Sequence, residues 1–300
     1  MSDLQTIAYE PSRLDGVLRL FEKAYGEAPS REEFTWWFDG NPVGPRTVFL
    51  VDDGGRVAGV LGASFYRTVV AGGETLAALP LWAVTDEDYR GRGIFQRLNA
   101  AVEAAAREAG AAVELGFTNP LAGPIYVTKL GWSDVHRPRL WARPLLGRAR
   151  REEGVDRFGE HEERAYRAVA GRLRSHFVRD EAYLNWRYAD SPRPYTLLRS
   201  ANGYAVVGRK RLRGLATAFV ADLVAPTLAE TRALLHSCVR AARGARVLLA
   251  LLPAVHARAY VTSGFVPTTE RIRLIGNSLG GPLPLGPKAW HFGLGDTDYF

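Results

Sequence analysis

The chain has 300 residues, 47% hydrophobic and 24% charged, with a net charge of +7, a soluble globular composition sized for one large domain or two ordinary ones. No apolar run is long enough to span a membrane, MSDLQTIAYEPSR lacks the basic start and apolar core of a signal peptide, and the single cysteine, Cys238, excludes a disulfide framework or a cysteine zinc site. These features predict a cytoplasmic protein. The first half is slightly acidic and the second carries the basic excess, but only four of the 39 basic residues are lysine. That bias fits a GC-rich genome, and the basic residues are scattered, so nucleic acid is not the expected partner. The six histidines show no ligand spacing, and no metal is expected.

In chain order, Thr6 to Glu10 reads as a short strand, and Ser12 begins a helix through Tyr25 with an apolar face at Leu14, Val17, Leu18, Phe21 and Ala24. Ser30 and Glu33 form a capping box for a second helix bearing Phe34, Trp36, Trp37 and Phe38. This aromatic group packs in a core or lines a pocket. Asp39 to Pro42 breaks the helix. Thr47 to Val51 and Val57 to Val70 pair across an Asp-Asp-Gly-Gly turn, and Ala71-Gly72-Gly73 leads into a third strand, Glu74 to Thr85. Pro80 lies inside that strand, where its missing N–H implies a bulge or an unpaired edge.

The next stretch, DEDYRGRGIFQRL, organises the rest. A strand ends at Thr85, an acidic loop closes on Tyr89-Arg90-Gly91-Arg92-Gly93, and Ile94, Leu98, Ala101, Val102 and Ala105 recur at helical spacing. A helix start leaves backbone N–H groups without internal partners, glycines allow an anion to approach, and Arg90 and Arg92 add charge. The arrangement suits a phosphate.

YRGRGIF resembles the acyl-CoA pyrophosphate loop of the GNAT acetyltransferases, Arg/Gln-x-x-Gly-x-Gly/Ala. Arg90 and Gly93 match its first two marks, and Phe95 stands where Gly or Ala is usual. Downstream, AAVELGFTNP and GPIYVTKLGW resemble the family's next strand and helix, with Asn119 and Tyr126 spaced as its Asn and Tyr are. The resemblance implies acetyl-CoA as acyl donor, bound through Arg90, Gly91, Arg92, Gly93, Ile94, Phe95 and Asn119. It also implies that the Pro80 strand splays from the following one, so that Trp82, Ala83 and Val84 contact the pantetheine arm.

Asp134 to Leu146 reads as the end of the first sheet, 147–163 as a charged linker, and Glu162 to Phe177 as a helix. The second half then repeats the first. Trp36-x5-Pro42 recurs as Trp186-x5-Pro192. Ile94 to Trp132 and Thr227 to Phe265 are both 39 residues long at an offset of 133, whereas the strands ending at Thr85 and Pro226 differ by 141. The eight missing residues are DEDYRGRG. The expected fold is α/β (α+β): two GNAT-like domains, 1–146 and 164–300, each a mixed, mostly antiparallel twisted sheet flanked by helices. The first has a splayed strand pair, and the second lacks the phosphate loop. YLNWRYADSPRPY and the terminal WHFGLGDTDYF also resemble stretches of bacterial tandem members.

Acyl transfer to an amine needs a deprotonated nucleophile, a donor to the developing oxyanion and a proton for the departing thiolate. The resemblance assigns the thiolate proton to a tyrosine. Counting from Asn119 selects Tyr126, whereas counting back from Gly131 reaches Val127, and Tyr126 is chosen as the nearby phenol. For the base, the AALPL strand has no carboxylate, leaving Glu74, Glu114, His136, the carboxylate of Phe300 or a water chain. The expected activity is acetyl-CoA-dependent N-acylation of a primary amine on a small molecule or protein. The alternatives are an aminoacyl-tRNA-dependent transferase, which the RGRG loop disfavours, and a non-catalytic acyl-CoA sensor.

Overall fold

A computed structural model describes residues 4–120, 122–145 and 152–298. β1 (Gln5–Ala8) precedes α1 (Leu14–Tyr25), which buries Leu14, Val17 and Leu20 and ends at Gly26. α2 (Arg31–Phe38) starts as its sequence requires, with Ser30 Oγ accepting the Glu33 N–H at 3.0 Å. All four aromatic residues of α2 are buried, while Arg31, Glu32 and Thr35 face solvent. β2 (Thr47–Asp53), β3 (Arg56–Val70) and β4 (Gly73–Thr85) form an antiparallel meander. α3 (Ile94–Glu108) crosses over to β5 (Ala111–Thr118), parallel to β4, and α4 (Ala122–Lys129), β6 (Ser133–His136) and β7 (Arg139–Pro144) follow.

The second half opens with α5 (Glu160–Ala170), β8 (His176–Phe177) and α6 (Glu181–Leu184). It continues with β9 (Tyr195–Arg199), β10 (Tyr204–Leu212), β11 (Leu215–Val224) and α7 (Leu228–Ala241), then β12 (Val247–Leu251), α8 (Ala257–Thr262), β13 (Val266–Arg271) and β14 (Arg273–Ser278). The helix expected over 162–177 stops at Ala170, and His176–Phe177 instead pairs with Thr68 and Val69 of β3. Of the expected linker, 147–151 lies outside the described residues, and α5 already occupies its last residues.

The two sheets correct the expected division of the chain. The first runs β1-β2-β3-β4-β5-β14-β6, with β8 on β3; the second runs β13-β7-β12-β11-β10-β9. β7, expected to finish the first sheet, belongs to the second, and β14 from the far end of the chain takes a place in the first. The cause is local. β6 and β7 are joined by Arg137-Pro138, and a proline, fixed near φ −65°, cannot take the positive φ of a tight hairpin turn. β13 and β14 are joined by Ile272 alone, whose N–H donates to Pro138 O at 3.0 Å. Both chains therefore run straight on as an antiparallel ribbon from one sheet into the other. A cut at 146 or 164 would leave the first sheet without β8 and β14 and the second without β7.

The halves meet through a near-symmetric pair. Trp36 Nε1 donates to Trp186 O at 2.6 Å and Trp186 Nε1 donates to Trp36 O at 2.9 Å, so the repeated Trp-x5-Pro motifs bond each other. Beside them lies a fully buried ion cluster. Arg179 donates through Nε to Asp222 (2.8 Å), through Nη2 to Asp296 (2.7 Å) and through Nη1 to Phe177 O (2.8 Å). Tyr183, Tyr204 and the N–H groups of Leu223 and Gly293 satisfy the remaining carboxylate oxygens. Cys238 is a buried core residue whose thiol burial pushes up to about 12. Among the described residues no helix is long and apolar enough to cross a membrane.

Removing one partner of a buried ion pair leaves a charge without compensation, at a cost of about 3–5 kcal/mol. Asp296→Ala should therefore lower the urea-unfolding free energy by that amount, and a change below about 1 kcal/mol would show that the cluster is not needed to hold the halves together.

Candidate active site

The site begins where two parallel strands part. β4 and β5 pair at Leu76↔Ala111, Ala77↔Val113 and Ala78↔Glu114, then separate, although β4 continues to Thr85 and β5 to Thr118. Pro80 lies two residues past the last pair. The expected irregularity falls slightly further on: between Leu81↔Gly62 and Val84↔Val60, Trp82 and Ala83 of β4 oppose Leu61 alone, a bulge of one extra residue. Trp82 has φ +60°, a left-handed conformation that costs a non-glycine residue roughly 1–2 kcal/mol. Its ring is held edge-on by Phe21, Phe34 and Phe38 at 4.9, 5.3 and 5.8 Å between centroids.

The loop after β4 is stiffened by its own acids. Asp86 is buried and accepts from Lys23 (2.6 Å) and Arg56 (2.7 Å), both of which also reach Asp88 at 2.7 Å. Burial opposes ionisation of Asp86, but these hydrogen bonds outweigh it and lower its pKa to about 2. Tyr89 donates to Asp53 at 2.7 Å, and the guanidinium groups of Arg56 and Arg92 lie 5.1 and 5.0 Å from its ring centre. The acidic part of the loop is thus internally matched, while Arg90 and Arg92 stand exposed beside Gly91 (φ +78°) and Gly93 (φ +72°). Gly93 caps α3 without a side chain, and the first helical bond runs from Arg97 N to Gly93 O. The N–H groups of 94–96 are those a helix leaves without an internal partner. The matching helix α7 is different: Thr227 Oγ1 accepts its Glu230 N–H, and only three residues separate it from β11.

Between the parted strands and α1–α2 lies a cavity of about 670 Å³. Trp82, Ala83, Asn119 and Tyr126 line it, whereas Val84 is turned into the core. Tyr126 is buried between Phe95 and Trp132, at 5.1 and 4.6 Å between ring centres, so Phe95 packs as a wall beside it. Asn119 Oδ1 accepts the Ala122 N–H at 2.8 Å and starts α4.

The expected bases lie elsewhere. Glu74 is exposed and paired with Arg67, at the far end of the β3–β4 hairpin. His136 sits on β6 with its pKa lowered by burial and by Arg271, and it does not reach the cavity. Glu114 is fully buried on the α3 face, bonded to Asn277 Nδ2 at 2.9 Å, and burial raises its pKa to about 7. Phe300 lies outside the described residues. Besides Glu27, the cavity brings in three charged groups the sequence did not single out for the site: Glu33 of α2, Arg193 and Asp298. Arg193 donates to Glu33 from Nε (3.0 Å) and Nη2 (2.5 Å) and to Asp298 O from Nη1 (3.2 Å). Glu33 was legible only as a cap, and the other two lie in the stretches around 183–195 and 290–300 that carried no role.

Residues 6–134 match the acetyltransferase (GNAT) domain family. Among solved structures the chain is similar to a GCN5-related N-acetyltransferase from Kribbella flavida, at 20% identity over 93% of this chain and 72% of that one, with a TM-score of 0.68. It is also similar to a GCN5-related N-acetyltransferase from Anabaena variabilis (12% identity, 92% and 72%, TM-score 0.66). A third is Saccharomyces cerevisiae N-myristoyltransferase with bound myristoyl-CoA (10% identity, 92% and 83%, TM-score 0.64). At these identities the structures speak for the fold. No curated protein matches the sequence. Residues 6–134 are thus a GNAT acetyltransferase domain by their match to the family, and the fold of the chain is similar to that of these acyltransferases.

Glu114 permits a test of its own. A carboxyl whose folded pKa is raised to about 7 from 4.5 stabilises below pH 4.5 and loses that contribution as pH rises to 7. Glu114→Gln, which mimics the protonated form, should be more stable than wild type at pH 8 by about 1–3 kcal/mol. The gap should close towards pH 5 in thermal melts. A pH-independent difference would show that Glu114 is ionised in the fold throughout.

Proposed function

We propose that this protein is a cytoplasmic N-acyltransferase that moves an acetyl group from acetyl-CoA to a primary amine of a small molecule or protein. The observation that carries the reading is the continuity of three features: an uncapped helix start flanked by Arg90 and Arg92, a parted strand pair beside it, and a cavity running on from the gap. Residues 90–95 would bind the pyrophosphate through backbone N–H groups and charge-assisted contacts. The freed backbone of Trp82-Ala83-Val84 would bond the pantetheine arm and face the thioester oxygen, where a fixed N–H stabilises the developing oxyanion. The amine would approach from the α1–α2 side. As its nitrogen bonds to the carbonyl carbon and sheds its extra proton to water, the C–S bond would break and Tyr126 would give its phenol proton to the leaving thiolate, regaining one from solvent.

Two measurements test this. Calorimetry should find one acetyl-CoA per chain, because α7 is capped by Thr227 where α3 is open. The Arg90→Ala, Arg92→Ala double variant should bind at least tenfold more weakly, since each charge-assisted contact is worth roughly 1.5–3 kcal/mol. Wild-type affinity in that variant, or two equivalent sites per chain, would refute the assignment.

Tyr126→Phe keeps the ring volume between Phe95 and Trp132 and removes only the proton. With saturating acceptor, kcat should fall about 10²–10⁴-fold while the acetyl-CoA Kd stays within about twofold. Unchanged kcat, with chemistry shown to limit the rate, would mean that the thiolate leaves unassisted.

A further inference from the structure

The second half has a parted strand pair of its own. β11 and β12 are parallel at Thr217↔Val247, Ala218↔Leu248 and Phe219↔Leu249, then separate, again after three pairs. Here the gap is full. His291, Phe292 and Gly293 occupy it, leaving about 10 Å³ between β11, β12 and α8. The fit is close: a Cβ on Gly293 would fall 2.3 Å from Ala221 O, and His291 N donates to Ser175 O at 2.8 Å. Three residues on, Asp296 is locked by Arg179 and Tyr183; then Thr297 O accepts from Arg187 at 3.0 Å and Asp298 O from Arg193 at 3.2 Å. The segment thus leaves one cleft and arrives in the cavity of the other.

What it brings there is charge. The charged residues lining the cavity are Glu27, Glu33, Asp298 and Arg193, and the Glu33–Arg193 pair neutralises itself. Glu27 and Asp298 leave an acidic excess in a chain of net charge +7. The walls nearby are Phe21, Tyr25, Trp37 and Trp82. Carboxylates among aromatic faces suit an organic cation with an apolar flank. Burial pushes the Asp298 carboxyl up to about 6 against the pull of Arg193, Arg187 and Lys210, which leaves it ionised at neutral pH.

We propose that the second half acts as a clamp: its cleft, closed over residues 291–293, sets Asp298 in the acceptor end of the first cleft, where the carboxylate binds the ammonium group of the acceptor. This inference rests on the acyl-transfer reading. It assigns to Asp298 a role in choosing the substrate, and to the acceptor the class of alkylammonium ions with an apolar or aromatic body.

The test uses the full chain, acetyl-CoA and two groups of acceptor assayed at pH 7 by thiol release: alkylamines, which are cationic there, and arylamines, which are neutral. Asp298→Asn should lower kcat/KM for alkylamines ~10- to 100-fold, the value of one charge-assisted hydrogen bond, and leave arylamines within ~3-fold. Asp298→Glu should restore part of the loss, and acetyl-CoA affinity should be unchanged in both. Gly293→Ala, which forces the plug off Ala221, should give the same selective loss and add little to Asp298→Asn in the double variant. If Gly293→Ala does not fold, Phe292→Leu, which thins the plug without a clash, should give a smaller loss of the same kind. Equal effects on both amine groups, or none on either, would overturn the role of Asp298. A selective loss in Asp298→Asn with none in the plug variants would overturn the clamp. A wild-type protein that binds no acetyl-CoA, or releases no thiol with any amine, would refute the underlying reading instead.

Discussion

The structure turns on one buried guanidinium. Arg179 has no exposure to solvent, and bringing a charge and two carboxylates into such a place is costly unless every lone pair and proton is used. Here all three guanidinium nitrogens donate, and all four oxygens of Asp222 and Asp296 accept hydrogen bonds, two from Arg179 and the rest from tyrosines and backbone N–H groups. The three charged residues come from the segment after β8, from β11 and from the end of the chain. The cluster can be satisfied only when these parts have met, which makes it a check on assembly as well as a bond. Trp36 and Trp186 complement it with a pair of reciprocal bonds that neither half can make alone.

What was legible in the sequence was whatever neighbours in sequence decide. Ser30 caps α2, Gly26 follows α1, and the strand–loop–helix of 79–98 folds as its pattern of apolar residues and glycines dictates. The equal lengths of 94–132 and 227–265 were legible as residue counts, and each stretch folds as helix, strand and helix. The exchange of β7 and β14 was not, since the same alternation reads as a strand in either sheet, and only the absence of a turn at Arg137-Pro138 and Ile272 decides the partner. Trp82 was marked as a site residue, but its left-handed backbone depends on three rings from α1 and α2 that no local rule reports. The acidic lining was least legible of all. Glu33, Arg193 and Asp298 are separated by more than a hundred residues at each step, and each has a cheaper local explanation.

The two halves use the same kind of gap in different ways. Both strand pairs part after three residues, so the gap belongs to the fold and not to its ligand. A gap between strands exposes backbone donors and acceptors that must find partners or be solvated. In the first half the chain keeps that gap open and places an uncapped helix start next to it. In the second, eight residues are missing, Thr227 caps the helix, and the protein's own tail enters the space. The tail is neutral where it is deepest, because burial lowers the His291 pKa to about 3, and among the described residues it carries its charges beyond the plug, at Asp296 and Asp298. A cleft without an anion site is thus a rigid socket for a peptide. The socket and the open cleft share the same ribbon of crossed strands, so the position of the tail relative to the first cleft is fixed by backbone hydrogen bonds and not by a flexible linker.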